Sequence, residues 1–114
     1  MTIREIAGIL DAKILHDEFE DVNISRVYTS DLLSDVMANA REGGALITIQ
    51  AHKNTVAVAT LVNIAVIIIC NSRPVPEDML ASAKSEGVAL LLTKENQFTV
   101  SGKLYKQLEP STGA

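Results

Sequence analysis

Tryptophan is absent from the 114 residues, and aromatic residues of all kinds amount to only 4%. So few rings leave little with which to stack nucleobases or sugars. A single cysteine, Cys70, cannot close an intramolecular disulfide, so packing alone must hold the fold, as suits a reducing compartment. Ten basic residues stand against 14 acidic ones, a formal net charge of −4, and no polybasic run offsets them. That balance argues against nucleic acid or an anionic membrane as partner, since their phosphates call for clustered lysine and arginine. The most apolar stretch, Val56 to Cys70, is shorter than the ~20 residues of a membrane span and carries Thr60 and Asn63. Met1 to Glu5 has no apolar targeting core. Together these absences predict a soluble, cytoplasmic protein.

Chemical signatures are missing as well. The chain has no G-x-x-x-x-G-K-[ST] phosphate loop, no G-x-G-x-x-G fingerprint and no G-x-S-x-G elbow. His16, His52 and Cys70 are scattered singly, whereas a metal site needs three or four convergent ligands. The expectation is a non-enzymatic protein without metal or cofactor.

What is present is aliphatic. Hydrophobic residues make up 47% and charged residues 21%, which excludes wholesale disorder and fits one folded domain. Thr2 and Glu5 form a capping box ahead of Ile3, Ile6, Ala7 and Leu10, predicting a helix over Ile3 to Leu10. Ala12 to Leu15 reads as a brief extended segment, and His16 to Asn23 as a polar loop that leaves His16 at the surface. A strand is expected from Ser25 to Thr29. Ser30 and Asp31 then cap a helix whose buried stripe is Leu32, Leu33, Val36, Met37 and Ala40, stopped by Gly43 and Gly44. Ala45 to Gln50 and Val66 to Cys70 are further strands, the second so uniformly aliphatic that both faces should be buried. Parallel neighbours need a crossover, so Asn54 is read as an N-cap and Thr55 to Val62 as helix, although Val56 to Ala59 alternates like a strand. Pro74 and Pro76 open the next helix, which Met79, Leu80, Ala83 and the stop at Gly87 delimit. Val88 to Leu92 is the last strand, and a final helix carries Phe98, Val100, Leu104 and Leu108. Residues 109–114 read as a tail after a domain spanning 1–108. The alternation predicts an α/β, three-layer-like single domain with a mostly parallel sheet of about four to five strands and crossover helices.

In such sheets ligands bind beyond the carboxyl ends of the strands, where helix N-termini also point. That rule selects Ser30 and Asp31 after the first parallel strand and Gln50, His52, Lys53 and Asn54 after the second. After the third it selects Asn71, Ser72 and Arg73, and after the fourth Thr93 and Lys94. Capping accounts for Ser30, Asp31 and Asn54 as readily as ligand contact does. Arg73 suits either solvent or an anion. Asp31 and Asp35 stand four apart, a spacing that fits a cation or simply complements a helix dipole. His52 could serve acid–base chemistry only if it met a second group, with Asp31 the candidate.

The order of these landmarks resembles the DRTGG domain family. The likeness runs from Thr2-Ile3-Arg4-Glu5-Ile6-Ala7 through Val27-Tyr28-Thr29-Ser30-Asp31 and Gly43-Gly44-Ala45-Leu46-Ile47-Thr48. It continues with Ile67 to Glu77 and Val88 to Thr93, and closes on Gly102-Lys103-Leu104-Tyr105. Such domains are associated with phosphotransacetylases and CBS-domain proteins, and the N-terminal domain of the phosphocarrier-protein serine kinase looks similar. Stand-alone versions occur beside iron-only hydrogenase genes, and Ser30 to Ala40 resembles those most. His52-Lys53 aligns with the family's Asp-Arg pair and Cys70-Asn71-Ser72 with its Thr-Gly-Gly, so two glycines are replaced. The resemblance implies a regulatory or ligand-sensing module, often dimeric. Expected partners are a second copy, held through surplus aliphatic surface, and a small anionic ligand. The alternative is an accessory protein docking a larger enzyme with no ligand of its own.

Overall fold

The structure, a computed structural model, describes residues 1–112, with side chains described as far as Leu108. The tail expected over 109–114 lies outside the residues whose side chains are described. The elements in chain order are α1 (Ile3–Leu10), β1 (Lys13–Ile14), β2 (Val27–Thr29), α2 (Leu33–Asn39), β3 (Ala45–Thr48), α3 (Lys53–Leu61), β4 (Val66–Ile69), α4 (Glu77–Glu86), β5 (Ala89–Leu92) and α5 (Gln97–Thr112). The α/β class is confirmed.

The five strands lie in the order β1-β5-β4-β3-β2. β2 to β5 are parallel, and β1 joins β5 antiparallel, Lys13 opposite Leu92. One row across the sheet runs Val27, Ala45, Val66, Ala89, and the next runs Tyr28, Leu46, Ile67, Leu90. Because side chains alternate along each strand, successive rows face opposite sides. Ala45, Ile47, Val66, Ile68, Ala89 and Leu91 pack against α1 and α5, joined by Val100 and Leu104. Leu46, Ile67, Ile69 and Leu90 pack against Val36, Val56, Ala59, Met79 and Ala83 of α2, α3 and α4. The result is three layers with β4 buried on both faces, as its lack of alternation requires. Since each parallel strand lies beside its predecessor, right-handed crossovers put α2, α3 and α4 on one side. α5 leaves the last strand for the other. No described helix is long and apolar enough to cross a membrane.

The capping box on α1 is present in both directions. Gly44 permits the close β2–β3 approach, because a Cβ there would stand 2.9 Å from the Arg26 carbonyl oxygen. Several local expectations are corrected. α3 starts earlier than expected: His52 is its N-cap, Nδ1 accepting from Asn54 N at 3.0 Å, and Asn54 lies inside the helix. α2 has Leu32 as an N-cap without a side-chain bond, and it ends at Ala40, before the glycines. Of its predicted stripe only Val36 is fully buried; Leu32 is 64% and Met37 48% exposed. A seven-residue helix at the edge of a sheet turns one residue fully inward. His16 is buried rather than at the surface. Its Nδ1 accepts from Glu18 N at 2.9 Å, so Nε2 carries the hydrogen and donates to Val88 O at 2.8 Å. Of the apolar residues on the final helix, Val100 and Leu104 are buried, whereas Phe98 is 88% exposed.

Candidate functional site

The carboxyl ends of β2 and β3 meet the start of α5 at Asp31. Its Oδ1 accepts from Thr48 Oγ1 at 2.9 Å, Ile49 N at 2.8 Å and Gln97 Nε2 at 3.0 Å. Its main-chain oxygen accepts from Gln50 Nε2 at 2.9 Å. Asp31 therefore caps no helix and instead ties the loop after β2 to the end of β3 and to α5. The half-buried carboxylate is satisfied by neutral donors, each such bond to a charged acceptor contributing about 1.5–3 kcal/mol.

The β4–α4 turn is bound to the β5–α5 loop. Asn71 N donates to Glu95 O at 3.0 Å and Ser72 N to Thr93 O at 2.9 Å. Asn71 and Ser72, the positions aligned with the family glycines, have φ of 60° and 49°. The left-handed turn that glycine adopts freely is thus kept by two L-residues, one of them the asparagine that tolerates it best. Cys70 lies buried below this turn with its thiol pushed up to about 11, first by burial and then by the negative charges of Asp31 and Glu95. It is a protonated, unreactive thiol near neutral pH. Glu95 Oε1 accepts from Lys103 Nζ at 2.7 Å, while its buried Oε2 has no hydrogen-bond partner among the described residues.

Placement of the candidates divides them. Asp31 and Gln50 are bonded to one another. Ser30 Oγ accepts from Leu32 N at 3.2 Å. His52 is spent on its cap, and no hydrogen bond among the described residues joins it to Asp31, so the two do not form an acid–base pair. Thr93 is buried, its hydroxyl donating to Leu10 O at 3.4 Å and accepting from Glu95 N at 3.2 Å. Lys53, Asn71, Ser72, Arg73 and Lys94 are exposed at the same edge of the sheet, and the three cations enter no salt bridge among the described residues. No described group of three or more His, Cys, Asp and Glu could hold a metal ion.

Thr48, Glu95 and Gln97 escaped the sequence reading. The first sits inside a strand that reads as core, and the other two become neighbours of Asp31 and Cys70 only when α5 crosses to the opposite face. A second feature was also hidden. A groove of about 1090 Å³ runs along the β2 edge between α5 and the end of α2, lined by Arg26, Tyr28, Arg41, Phe98 and Tyr105 among others.

The family model described as DRTGG domain matches residues 5–106. No curated protein matches the sequence. Among solved structures, the chain is similar to the CBS and DRTGG domains of the regulatory region of Clostridium perfringens pyrophosphatase, solved in complex with its activator diadenosine tetraphosphate. The TM-score is 0.73 at 15% identity, covering 90% of this chain and 45% of that one. The chain spans less than half of that structure, and at this identity the likeness shows the fold.

Proposed function

Because the chain belongs to the DRTGG domain family, we propose that it is a non-catalytic regulatory module that senses a small polar or anionic ligand at the carboxyl ends of its parallel strands. The observation that carries this reading is the Asp31 junction, where one carboxylate links the loops after β2 and β3 to the helix on the opposite face of the sheet. A ligand pressing on any of these loops reaches the docking of α5, which is how a binding event becomes a change of surface. Lys53, Arg73 and Lys94 supply positive charge at three successive strand ends of an acidic chain, where an anion needs it. The nucleotide activator of the pyrophosphatase region makes polyphosphates the first probes to try. Gln50, Asn71 and Ser72 offer neutral hydrogen-bonding groups beside the cations, while Asp31, His52 and Thr93 hold the loops in shape.

A thermal-shift screen against nucleotides, acyl phosphates and divalent cations tests the reading. Saturation at about a hundred times Kd should stabilise the chain by about 2.7 kcal/mol. Replacing Lys53, Arg73 and Lys94 together by Ala should abolish the shift without changing the melting of the free chain. Absence of any shift across the screen, or a shift that survives the triple variant, overturns the strand-end site.

A further inference from the structure

Two arginines stand together without a counter-charge at one margin of the sheet. Arg26 and Arg41 line a small recess with Tyr28 and Gly44, and neither enters a salt bridge among the described residues. Asp35, the acid bonded to Tyr28, is already occupied by that phenol and by Asn39. Both arginines are exposed, in a chain whose net charge is −4. They border β2, the outermost strand, which is paired on one side only. Arg26 O accepts from Ala45 N at 2.9 Å, and Ser30 N donates to Ile47 O at 3.2 Å. Residues 26, 28 and 30 thus turn their peptide groups toward β3, and alternation leaves the N–H and C=O of Val27 and Thr29 facing outward.

The groove along this edge has two unlike walls. One carries Arg26, Tyr28, Asn39 and Arg41. The other is a stripe of α5, where Phe98, Ser101, Gly102 and Tyr105 follow at i, i+3, i+4 and i+7. Ser101 Oγ meets Thr29 Oγ1 at 2.7 Å and so ties that wall to the edge. Phe98 is 88% and Tyr105 61% exposed, and a Cβ at Gly102 would meet only open space. Tyr28 packs toward the core of α2, α3 and α4, and Val27 toward the core of α1 and α5. The cationic wall and the aromatic wall therefore lie on opposite faces of the sheet, with the open edge of β2 between them.

We propose that this groove takes an extended acidic segment of another protein, added to β2 as a further strand. Its acidic side chains reach Arg26 and Arg41, and its apolar ones cover Phe98 and Tyr105. This goes beyond the ligand reading and does not rest on it. Strand addition follows from the main chain, because the outward groups of Val27 and Thr29 repeat in the order that another backbone meets. Side chains of a strand point alternately to its two faces. A segment in this place must then show one kind of residue to the cationic wall and the other kind to the aromatic wall. Charge selects the partner. Ile24 to Ser30 contains no acid, so a second β2 strand would bring another arginine and leave the cations unmet. A small anion would meet the arginines and leave edge and rings uncovered. Acidic and apolar residues in alternation satisfy edge, charges and rings together.

Fluorescence anisotropy with labelled peptides of about seven residues tests this on the full chain. The probe alternates glutamate with valine. One control has lysine for each glutamate, and a second groups the same glutamates at one end. The probe should bind with Kd below about 1 mM, and both controls at least about tenfold more weakly. Arg26→Glu combined with Arg41→Glu, at exposed side chains, should leave the melting temperature unchanged and reverse the preference between the glutamate and lysine peptides. Phe98→Ala should weaken the probe about tenfold. Amide exchange at Val27 and Thr29 should slow when the probe is bound. A chain that does not bind the probe overturns the proposal, as does one that binds the lysine or grouped peptide equally well. So does a probe indifferent to the arginine pair, or bound without slowing exchange at Val27 and Thr29. A dimer in sedimentation velocity that excludes the probe until Arg26 and Arg41 are replaced gives the edge to a second copy and overturns it too. The triple variant of Lys53, Arg73 and Lys94 should lose the ligand-dependent melting shift and keep the probe, so the two readings fail separately; a probe lost there belongs to the strand ends and overturns the edge site.

Discussion

Tyr28 and Asp35 form an acid–phenol pair on the α2 side of the sheet. The phenol donates to the two carboxylate oxygens at 3.0 and 2.8 Å, and Asn39 Nδ2 adds a bond at 2.9 Å. The Ser30 hydroxyl first, then Tyr28 and Asn39, hold Asp35 below the usual carboxylate range; the bond to Asp35 lifts the Tyr28 phenol above the ordinary tyrosine value. The two shifts act at opposite ends of the pH scale. A depressed carboxylate contributes stability that is present above the unfolded value, about pH 4, and lost as pH falls through the folded one. A raised phenol contributes stability that is present below about pH 10 and lost as pH rises through the folded value. Asp35→Asn should therefore reduce the acid sensitivity of the fold and let Tyr28 ionise at lower pH. Phenolate absorbance, read against a Tyr105→Phe background, follows the second effect; an unchanged Tyr28 titration in Asp35→Asn would remove the pair. Nothing in the spacing of 28 and 35 marks this contact, because it joins a strand to the following helix across a turn.

At the scale of elements, the strands were legible and the helix boundaries less so. β3, β4 and β5 are runs of branched aliphatics, and burial on both faces leaves no other use for Val66 to Ile69. Helix starts depend on which polar side chain turns back to the chain, and several compete at each strand end. Asp31 was free to cap α2, yet Thr48, Ile49 and Gln97 offered three donors where the helix offered fewer. Asn54 suits an N-cap better than histidine does by type, yet His52 stands where the backbone is still extended, with φ −145° and ψ 148°. Loss of this cap should be measurable. His52→Ala should destabilise the fold by about 1 kcal/mol in urea unfolding, whereas Asn54→Ala, at an exposed position inside the helix, should stay within about 0.5 kcal/mol. Equal effects from the two would return the cap to Asn54. The candidate site was legible as an edge of the sheet, since every strand ends in polar residues. Its internal order was not, since Glu95 and Gln97 lie after β5, where the chain turns to the face opposite α2, α3 and α4.

For the whole molecule, the aliphatic surplus that suggested a dimer goes first into two separate cores. One lies between the sheet and α1 with α5, the other between the sheet and α2, α3 and α4, and only strand backbones divide them. An acidic chain poor in rings, with one cysteine and so no intramolecular disulfide, builds two cores because the same short strands are used twice, each row filling one layer. Met79 of α4 and Leu104 of α5 are fully buried in opposite cores. Met79→Ala and Leu104→Ala should each cost about 2–5 kcal/mol through lost transfer energy and the cavity left behind. Because the two side chains share no core, the double variant should equal their sum within about 0.5 kcal/mol. Because the sheet is common to both cores, each loss should lower a single cooperative transition rather than split it. Urea unfolding followed by far-ultraviolet dichroism and by tyrosine fluorescence checks both parts. Coincident curves with additive losses fit one domain built on a shared sheet; a Leu104→Ala chain that, in a Tyr28→Phe background, loses the Tyr105 signal before dichroism would mean that the α1–α5 layer unfolds on its own.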